Sequence, residues 1–425
     1  MPGVMHKAAD AFGISRDLPL NYQTRESADG VLVDSLTRDK HLVIYGSSKQ
    51  GKTSLRKHCL QPNDYITVHC SNKWEIQDLH SAVLKRAGFE VNQSTTKTAS
   101  GKQKIFAKAK AALFGSSAEG GAEAERQQTT QETTAPLELD PEDVNDVIAA
   151  LGHIHFGQFI VLEDFHYLPI ETQKDFSVAL KAFHENSPYC FIVIGVWLEE
   201  NRLTVYNGDL TGRILSVNAD QWTREELSRV IQTGEELLNI SFSENFKTGL
   251  LDGCFESVFI VQEVCYRCCS NDGIYDTRDE RRIAGVSQDP RAMIAEVVGQ
   301  HTGRFNSFLT QFADGFQATD LEMYRWLLYP VLTSSVEALE HGVRQADIRR
   351  CLREHHPQRE GLNPGNVTQA LLSVGNLQVK KDIKSIVLDY DQTNLRLNVV
   401  DRSFLIWVEN QDRRELLELV GLPEI

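Results

Sequence analysis

One short run near the start of the chain has residue types and a spacing suited to holding phosphates. It reads G-x-x-x-x-G-K-T, continues into a serine, and consists of Gly46, Ser47, Ser48, Lys49, Gln50, Gly51, Lys52, Thr53 and Ser54. Glycines at both ends allow the backbone to turn so tightly that successive N–H groups face one anion. The run therefore predicts a loop that wraps the phosphates of a nucleotide at the positive end of a helix dipole.

Two side chains of this loop are expected to have separate roles. Lys52 is predicted to reach the β and γ phosphates during catalysis, and the hydroxyl of Thr53 is predicted to occupy one position around Mg²⁺. The run 72–75 reads N-K-W-E and lacks the aspartate of the guanine-reading motif N-K-x-D. ATP and Mg²⁺ are therefore the expected cofactors.

A pair of acids further along the chain is the second candidate group. Glu163 and Asp164 directly follow the apolar run 159–162. Two carboxylates at the end of a buried strand are costly unless a cation or a metal ion compensates them. By position, Glu163 is predicted to bind Mg²⁺ through water, and Asp164 is predicted to be the base that activates the attacking water. The two acids are inverted relative to the common aspartate–glutamate order, so the reverse assignment of roles stays open.

The elements that must position these groups are visible as apolar runs separated by helical stretches. These runs are 41–45, 64–70, 158–163, 189–196 and 213–217. Continuous apolar strands that alternate with helices predict a parallel sheet covered on both faces, which is an α/β fold. Each candidate group directly follows one of these predicted strands.

The whole chain is expected to have four parts. They are an N-terminal segment (1–40), a P-loop core (41–225), a helical lid (226–320) and a winged-helix domain (321–425). A T-x-x-E capping box at Thr223 and Glu226 predicts the first helix of the lid. The winged helix is predicted from helix candidates near 321–332, 343–355 and 364–375, followed by two strands joined by the turn-prone DQTN.

The core is expected to contain an insertion at about 92–140. This segment is rich in Thr, Ser, Gly, Ala and Gln and has few large apolar residues, so it is predicted to be flexible. The stretch from Lys102 to Phe114 within it has apolar residues near helical spacing. It is predicted either to be a marginal solvated helix or to fold onto a partner, a membrane surface or its own domain.

The order of phosphate loop, strand, acidic strand, a further strand, helical lid and winged helix resembles the AAA+ and STAND branch of P-loop ATPases. The likeness is greatest to origin-recognition-like and transposition-regulator ATPases, and it covers about 25–425 in architecture. It implies hydrolysis of ATP to ADP and phosphate, slow or stimulated by a partner. The lid run 253–257 departs from the pattern, because it has neither the arginine nor the G-x-P turn that this family often carries there.

The resemblance also implies roles for three isolated polar residues. Arg213, which precedes the last predicted strand, would reach the γ-phosphate of a neighbouring subunit; the alternatives are an ion pair with Asp209 or a helix cap. Arg25 would lie near the adenine pocket, unless it is an ordinary solvated charge. Asn201 is a weak candidate for the polar residue that senses the γ-phosphate.

Charge and cysteine usage limit the partners. Lys and Arg number 44 against 59 Asp and Glu, so the net charge of −15 excludes general adhesion to nucleic acid. DNA contact would need a local patch, for which the candidates are Arg344, Arg349, Arg350 and Arg353. Scattered cysteines favour a reducing cytoplasm, and no apolar run is long enough to span a membrane. The C-x-x-C-C run at 265–269 is read as a helix packed with cysteines rather than a zinc site.

Together these features predict a nucleotide-driven switch. ATP would set the arrangement of lid and winged helix, a homo-oligomer would form, and a separate effector protein would be controlled, with bacterial anti-phage defence as the expected setting. The alternative is a DNA-associated ATPase of the initiator or transposition-regulator kind. A small-molecule phosphotransferase is less favoured, because that reaction needs neither a lid nor a winged helix.

Overall fold

The computed structural model describes residues 4–14, 17–97, 103–109 and 136–424. Its strands are β1 (His41–Tyr45), β2 (Tyr65–His69), β3 (Phe89–Lys97), β4 (Gln103–Ala109), β5 (Leu137–Leu139), β6 (Phe159–Glu163), β7 (Phe191–Ile194), β8 (Ile214–Asn218), β9 (Ile240–Phe242), β10 (Arg282–Ala284), β11 (Val343–Arg344), β12 (Leu388–Asp391) and β13 (Arg396–Val399).

The helices comprise α1 (Ala8–Phe12), α2 (Val31–Leu36), α3 (Lys52–Cys59), α4 (Ile76–Ala87), α5 (Val144–His153), α6 (Ile170–Asn186), α7 (Arg202–Tyr206), α8 (Arg224–Leu238), α9 (Glu244–Gly253) and α10 (Val258–Asn271). They continue with α11 (Pro290–Gly299), α12 (Thr302–Ala313), α13 (Met323–Thr333), α14 (Val336–Glu340), α15 (Gln345–His355), α16 (Pro364–Leu372), α17 (Val374–Lys380), α18 (Arg402–Glu409) and α19 (Arg413–Leu419).

The predicted α/β core with a parallel sheet is confirmed. Five parallel strands lie in the order β2-β6-β7-β1-β8. Val43 packs into an apolar cluster with helices α4, α5 and α6, whereas Leu42 and Ile44 pack into a second cluster with α2 and α3. Successive side chains of β1 thus enter two cores, which is why residues 42–44 of this strand are all apolar.

The predicted insertion is partly ordered. Strands β3, β4 and β5 form an antiparallel sheet. The expectation of a helix from Lys102 is wrong for residues 103–109, where Ile105 and Ala107 are buried in the core and their neighbours are more exposed. This period of two is that of a strand. The rest of the predicted flexible region, including 110–114, lies outside the described residues.

The second half of the chain is mainly helical. Helices α8 to α12 accompany a short parallel pair of β9 and β10, and the last hundred residues combine helices with the antiparallel sheet β11-β13-β12. Helices and strands occur close to the ranges expected for a winged helix, although that name stays a prediction. One apolar cluster extends from Phe12 and Leu227 to Phe404 and Trp407, so lid and C-terminal part share a core.

Candidate nucleotide-binding site

The predicted phosphate loop leaves β1 and ends where α3 begins. Gly46 and Gly51 have φ values of 145° and 82°, which residues with a side chain rarely adopt. A Cβ atom at Gly46 would also lie 3.0 Å from the backbone nitrogen of Asp220. The two glycines are therefore required by backbone shape and, at Gly46, by close approach.

Lys52 is buried and folds back over its own loop. Its Nζ donates hydrogen bonds to the carbonyl oxygens of Gly46 at 3.0 Å and Ser47 at 2.5 Å. Burial lowers the pKa of Lys52 to about 8, although Asp220, Glu163 and Asp164 oppose the shift. An anion in the loop would relieve the cost of burying this ammonium group.

The loop amides divide into two groups. Ser47 donates its backbone N–H to Asp220 Oδ1 at 2.8 Å, and Ser48 donates to the carbonyl oxygen of Val400 at 2.8 Å. In the described part of the chain, the amides of residues 49–54 donate to no protein acceptor. These six amides are therefore available to a ligand at the start of α3.

The two acids at the end of β6 differ in their surroundings. Glu163 is buried and accepts a hydrogen bond from Arg56 Nε at 3.0 Å, while burial raises its pKa against the effect of that arginine. The side chain of Asp164 is half exposed, and its Oδ2 lies 3.9 Å from His69 Nδ1. Burial raises the pKa of Asp164, with His69, Lys52 and Lys384 acting in the opposite direction.

A cavity of about 410 Å³ joins these groups. Its lining includes the loop residues Ser48, Lys49, Gln50, Gly51, Lys52, Thr53 and Ser54 together with Glu163 and Asp164. Trp222 and Phe259 from the lid side and Tyr22 from the N-terminal segment also line it. The structure thus brings the predicted loop and both predicted acids to one cavity of the size that small-molecule ligands occupy.

Aromatic and amide groups hold the loop against the lid. Trp222 Nε1 donates to the carbonyl oxygen of Gln50 at 3.3 Å, and the side chain of Gln50 contacts the backbone of Glu256 and Val258. Lys49 Nζ lies 3.9 Å from the ring centroid of Phe259. The lid therefore contacts the phosphate loop directly, without an arginine or a G-x-P turn at 253–257.

Residues that could surround Mg²⁺ are present beside this loop. The exposed hydroxyl of Thr53 and the carboxylates of Glu163 and Asp164 all line the cavity. Mg²⁺ in nucleotide sites is commonly held by one or two carboxylates together with phosphate oxygens and waters, so this donor set fits. Among the described residues, no group of three or more His, Cys, Asp or Glu side chains could hold a metal ion by itself.

Arg213 does not reach this cavity in its own chain. It precedes β8 and therefore lies at the opposite end of the sheet from the phosphate loop. Its guanidinium contacts Glu185 at 2.7 Å and the carbonyl oxygen of Asp209. The alternative of an ion pair with the Asp209 carboxylate is not seen, because that carboxylate pairs with Lys181. The hydrogen bond to the Asp209 carbonyl oxygen, in the short helical turn Gly208–Leu210, is of the kind that the helix-cap alternative predicts. The role of Arg213 in a neighbouring subunit stays a prediction.

Arg25 is a buried positioning group and not a solvated charge. It donates to the carbonyl oxygens of Ala219 at 3.0 Å and Gln221 at 3.3 Å, and its guanidinium lies 4.1 Å from the ring centroid of Trp222. Arg25 therefore supports a wall of the cavity without lining it. Asn201 also lies outside the lining, and its side chain accepts a hydrogen bond from Thr393.

Sequence reasoning missed Arg56, Asp220 and Trp222 as parts of the site. Asp220 had a usable signal, because an acid two residues after a parallel strand falls at the same sheet edge as the loop. Arg56 resembled an ordinary charge on a helix.

Cys265, Cys268 and Cys269 are buried in α10, in agreement with the reading as a packed helix.

Comparisons with known proteins identify the fold. No protein-family model and no curated protein matches the sequence. The chain is similar to the Walker-type ATPase PABY2304 of Pyrococcus abyssi, with a TM-score of 0.55 and 13% identity over 94% of this chain and 99% of that one. At this identity the likeness shows the fold alone, and the fold that this chain shares with that Walker-type ATPase is an α/β fold with a parallel central sheet.

Two further solved structures are similar at lower scores. The Aeropyrum pernix ORC2 protein in its ADPNP–ADP complexes has a TM-score of 0.48 and 11% identity, over 99% of this chain and 98% of that one. The Aeropyrum pernix ORC1 protein in complex with DNA has a TM-score of 0.45 and 12% identity, over 97% of each chain.

Among the described residues, no helix is both long and apolar enough to cross a membrane.

Proposed function

We propose that this chain is an ATP-binding and ATP-hydrolysing switch that couples its phosphate loop to the C-terminal part. The observation that carries the proposal is that adjacent backbone amides of the phosphate loop differ in whether they have a hydrogen-bond acceptor within the protein. In the described part of the chain, amides 49–54 donate to no protein acceptor and belong to residues that line the cavity, whereas the amide of Ser48 donates to the carbonyl oxygen of Val400. A ligand that reshapes the loop would therefore act on a contact made by residues more than three hundred positions away.

The chemistry of the cavity supports a nucleoside triphosphate as the ligand. The six loop amides that have no acceptor among the described residues, the start of α3 and the buried Lys52 together provide a positive site for several phosphate groups. When bound, Mg²⁺ would neutralise part of the phosphate charge, with Thr53 and a carboxylate from the end of β6 as its protein neighbours.

A second link connects the loop to the C-terminal part through Asp220. One carboxylate oxygen of Asp220 accepts from the Ser47 amide, and the other lies 2.8 Å from Arg402 at the start of α18. Next to this link, Val196, Ile386 and Val400 form a small apolar cluster. The docked position of the C-terminal part thus depends on polar groups that belong to the phosphate loop or touch it.

DNA association is the downstream role that a specific observation favours. Arg344, Arg350 and Arg353 are exposed on β11 and α15, which makes a local basic surface on an otherwise acidic chain. A separate effector protein, a homo-oligomer and a role in anti-phage defence stay predictions. The comparisons give the effector and the defence role no support.

Calorimetry with a non-hydrolysable ATP analogue and Mg²⁺ tests the ligand. We expect binding to the parent chain and a loss of at least about a hundredfold in Lys52→Ala, because a desolvated cation that faces the phosphates is removed. Lys85→Ala, which removes an exposed lysine on α4, is the matched control and should bind like the parent chain. Equal affinity of the two variants would contradict the proposed site.

A further inference from the structure

The two acids at the end of β6 are unequal in the charge that they offer to the cavity. Glu163 and Arg56 form a buried ion pair, with only 8% and 5% of their side chains exposed. The side chain of Asp164 is 50% exposed, and His69, at 3.9 Å, is itself 65% exposed. Both carboxylates line the cavity. That of Glu163 is neutralised by a buried neighbour, whereas that of Asp164 forms no ion pair with a lysine or arginine of the described chain.

The ion pair follows from the position of Arg56 on α3. Lys52, Leu55 and Arg56 are the buried residues of this helix, so Arg56 lies on the inner face one turn after Thr53. From there its guanidinium meets Glu163 on one side and lies 4.6 Å from the ring centroid of Tyr65. The Nη1 atom of Arg56 is buried and has no hydrogen-bond partner in the described chain. Glu163 is therefore the anion that compensates the buried charge of this arginine.

Glu163 is paired with a buried arginine, and the field of such a pair falls off much faster than that of a single charge. The pair therefore attracts a cation only weakly. We propose that Arg56 is a positioning residue that reserves Glu163 as its counter-ion, and that Asp164 supplies the carboxylate for nucleotide-bound Mg²⁺. This inference rests on the proposed function. It reverses the metal role predicted from the sequence, and it leaves one free acid at the site, which is consistent with slow hydrolysis.

Nucleotide affinity measured with and without the metal tests this assignment. The probe is a non-hydrolysable ATP analogue, titrated by calorimetry in Mg²⁺ and in EDTA at pH 8. If Mg²⁺ strengthens binding to the parent chain by about tenfold or more, Asp164→Asn should reduce this enhancement below about twofold. Glu163→Gln should keep the enhancement and lower the melting temperature, because it leaves Arg56 buried without its counter-ion.

Two further variants separate positioning from simple structural support. Arg56→Met releases Glu163, so the Mg²⁺ enhancement should rise above that of the parent chain, whereas Arg56→Lys should restore the parent value. The double variant Arg56→Met with Glu163→Gln removes both charges of the pair. It covers the case in which Glu163→Gln alone does not fold, and it should keep the enhancement.

The outcomes are distinguishable. Loss of the Mg²⁺ enhancement in Glu163→Gln or in the double variant would overturn the assignment, and so would its survival in Asp164→Asn. An Arg56→Met variant that only melts earlier, with the enhancement unchanged, would reduce Arg56 to a structural residue. If the parent chain binds no analogue under either condition, the proposed function itself fails.

Discussion

At the scale of single residues, the ionisation of Lys52 is the most consequential property of the site. Its ammonium group is buried against two carbonyl oxygens, and burial lowers its pKa from 10.5 to about 8. Without ligand, the unfolded chain therefore binds more protons than the folded chain between about pH 8 and 10.5. By linkage, this residue makes the ligand-free protein more stable as the pH rises through that window.

Nucleotide binding should show the opposite dependence on pH. Phosphates interact with the charged form of Lys52, which is lost above about pH 8 in the ligand-free chain. We expect the affinity for the ATP analogue to fall as the pH rises from 7 to 9.5, by at most about tenfold per pH unit. Titration calorimetry across this range measures the slope. Lys52→Met should bind weakly with a flatter profile, and an equally steep profile in this variant would assign the effect to another group.

At the scale of elements, α15 presents arginines of two kinds. The Nη2 atom of Arg349 donates a hydrogen bond to the Thr368 hydroxyl at 2.8 Å, so its guanidinium already has a partner within the protein. Arg350 and Arg353 are exposed, although Arg350 also contacts Asp347. Among the candidate arginines, a test of DNA contact on this helix is therefore sharper at Arg350 and Arg353 than at Arg349.

If α15 contacts DNA, reversing its exposed charges should weaken binding. We expect Arg350→Glu with Arg353→Glu to lower duplex affinity at least about tenfold at low salt and to reduce the slope of log affinity against log salt, because fewer counterions are released. Fluorescence anisotropy at several salt concentrations measures both quantities. The control is Arg86→Glu with Arg282→Glu, which makes the same change in net charge at exposed sites elsewhere. Equal affinities for the two double variants would remove α15 from the interface.

At the scale of the whole molecule, the C-terminal part is fixed to the core at several separate places. Arg202 and Asp389 form a buried ion pair, and Thr393 donates to Glu199 at 2.7 Å. Asn72 donates to the carbonyl oxygen of Val379 at 3.2 Å. Together with the Ser48–Val400 bond at the phosphate loop, these contacts hold the C-terminal part against the core, so docking and ligand binding are expected to affect each other.

Hydrogen exchange can follow this coupling at the Ser48 amide, which donates to Val400. We expect exchange in peptides that cover 46–54 and 385–402 to differ between the ADP-bound and ATP-analogue-bound chains. Arg402→Ala should raise exchange in both peptides, because it leaves Asp220 without its partner at 2.8 Å. Lys174→Ala, which breaks an exposed pair with Glu171, should change neither peptide. Identical exchange in both nucleotide states would contradict a switch that acts through this interface.

The strand insertion illustrates why some elements were predicted poorly. Residues 104–109 alternate buried and more exposed side chains, but Ile105, Phe106 and Ala109 also lie near helical spacing. Pairing with β3 and β5 and burial against α4 and α5 decided the outcome. β3 is the preceding strand, but β5 and α5 follow only after a long intervening segment, so the periodicity within 103–109 does not reveal these partners.

The sequence by itself determined the phosphate loop, the acidic strand and the parallel α/β core. Glycine spacing and apolar periodicity are local constraints, and local constraints can be read along one chain. Only the tertiary structure decided that Glu163 pairs with Arg56, that Asp164 faces the cavity, that Arg25 supports Trp222, and that Val400 and Arg402 reach the phosphate loop. These pairings depend on packing between residues far apart in the chain. Burial brings each charged group close to a partner that compensates its charge.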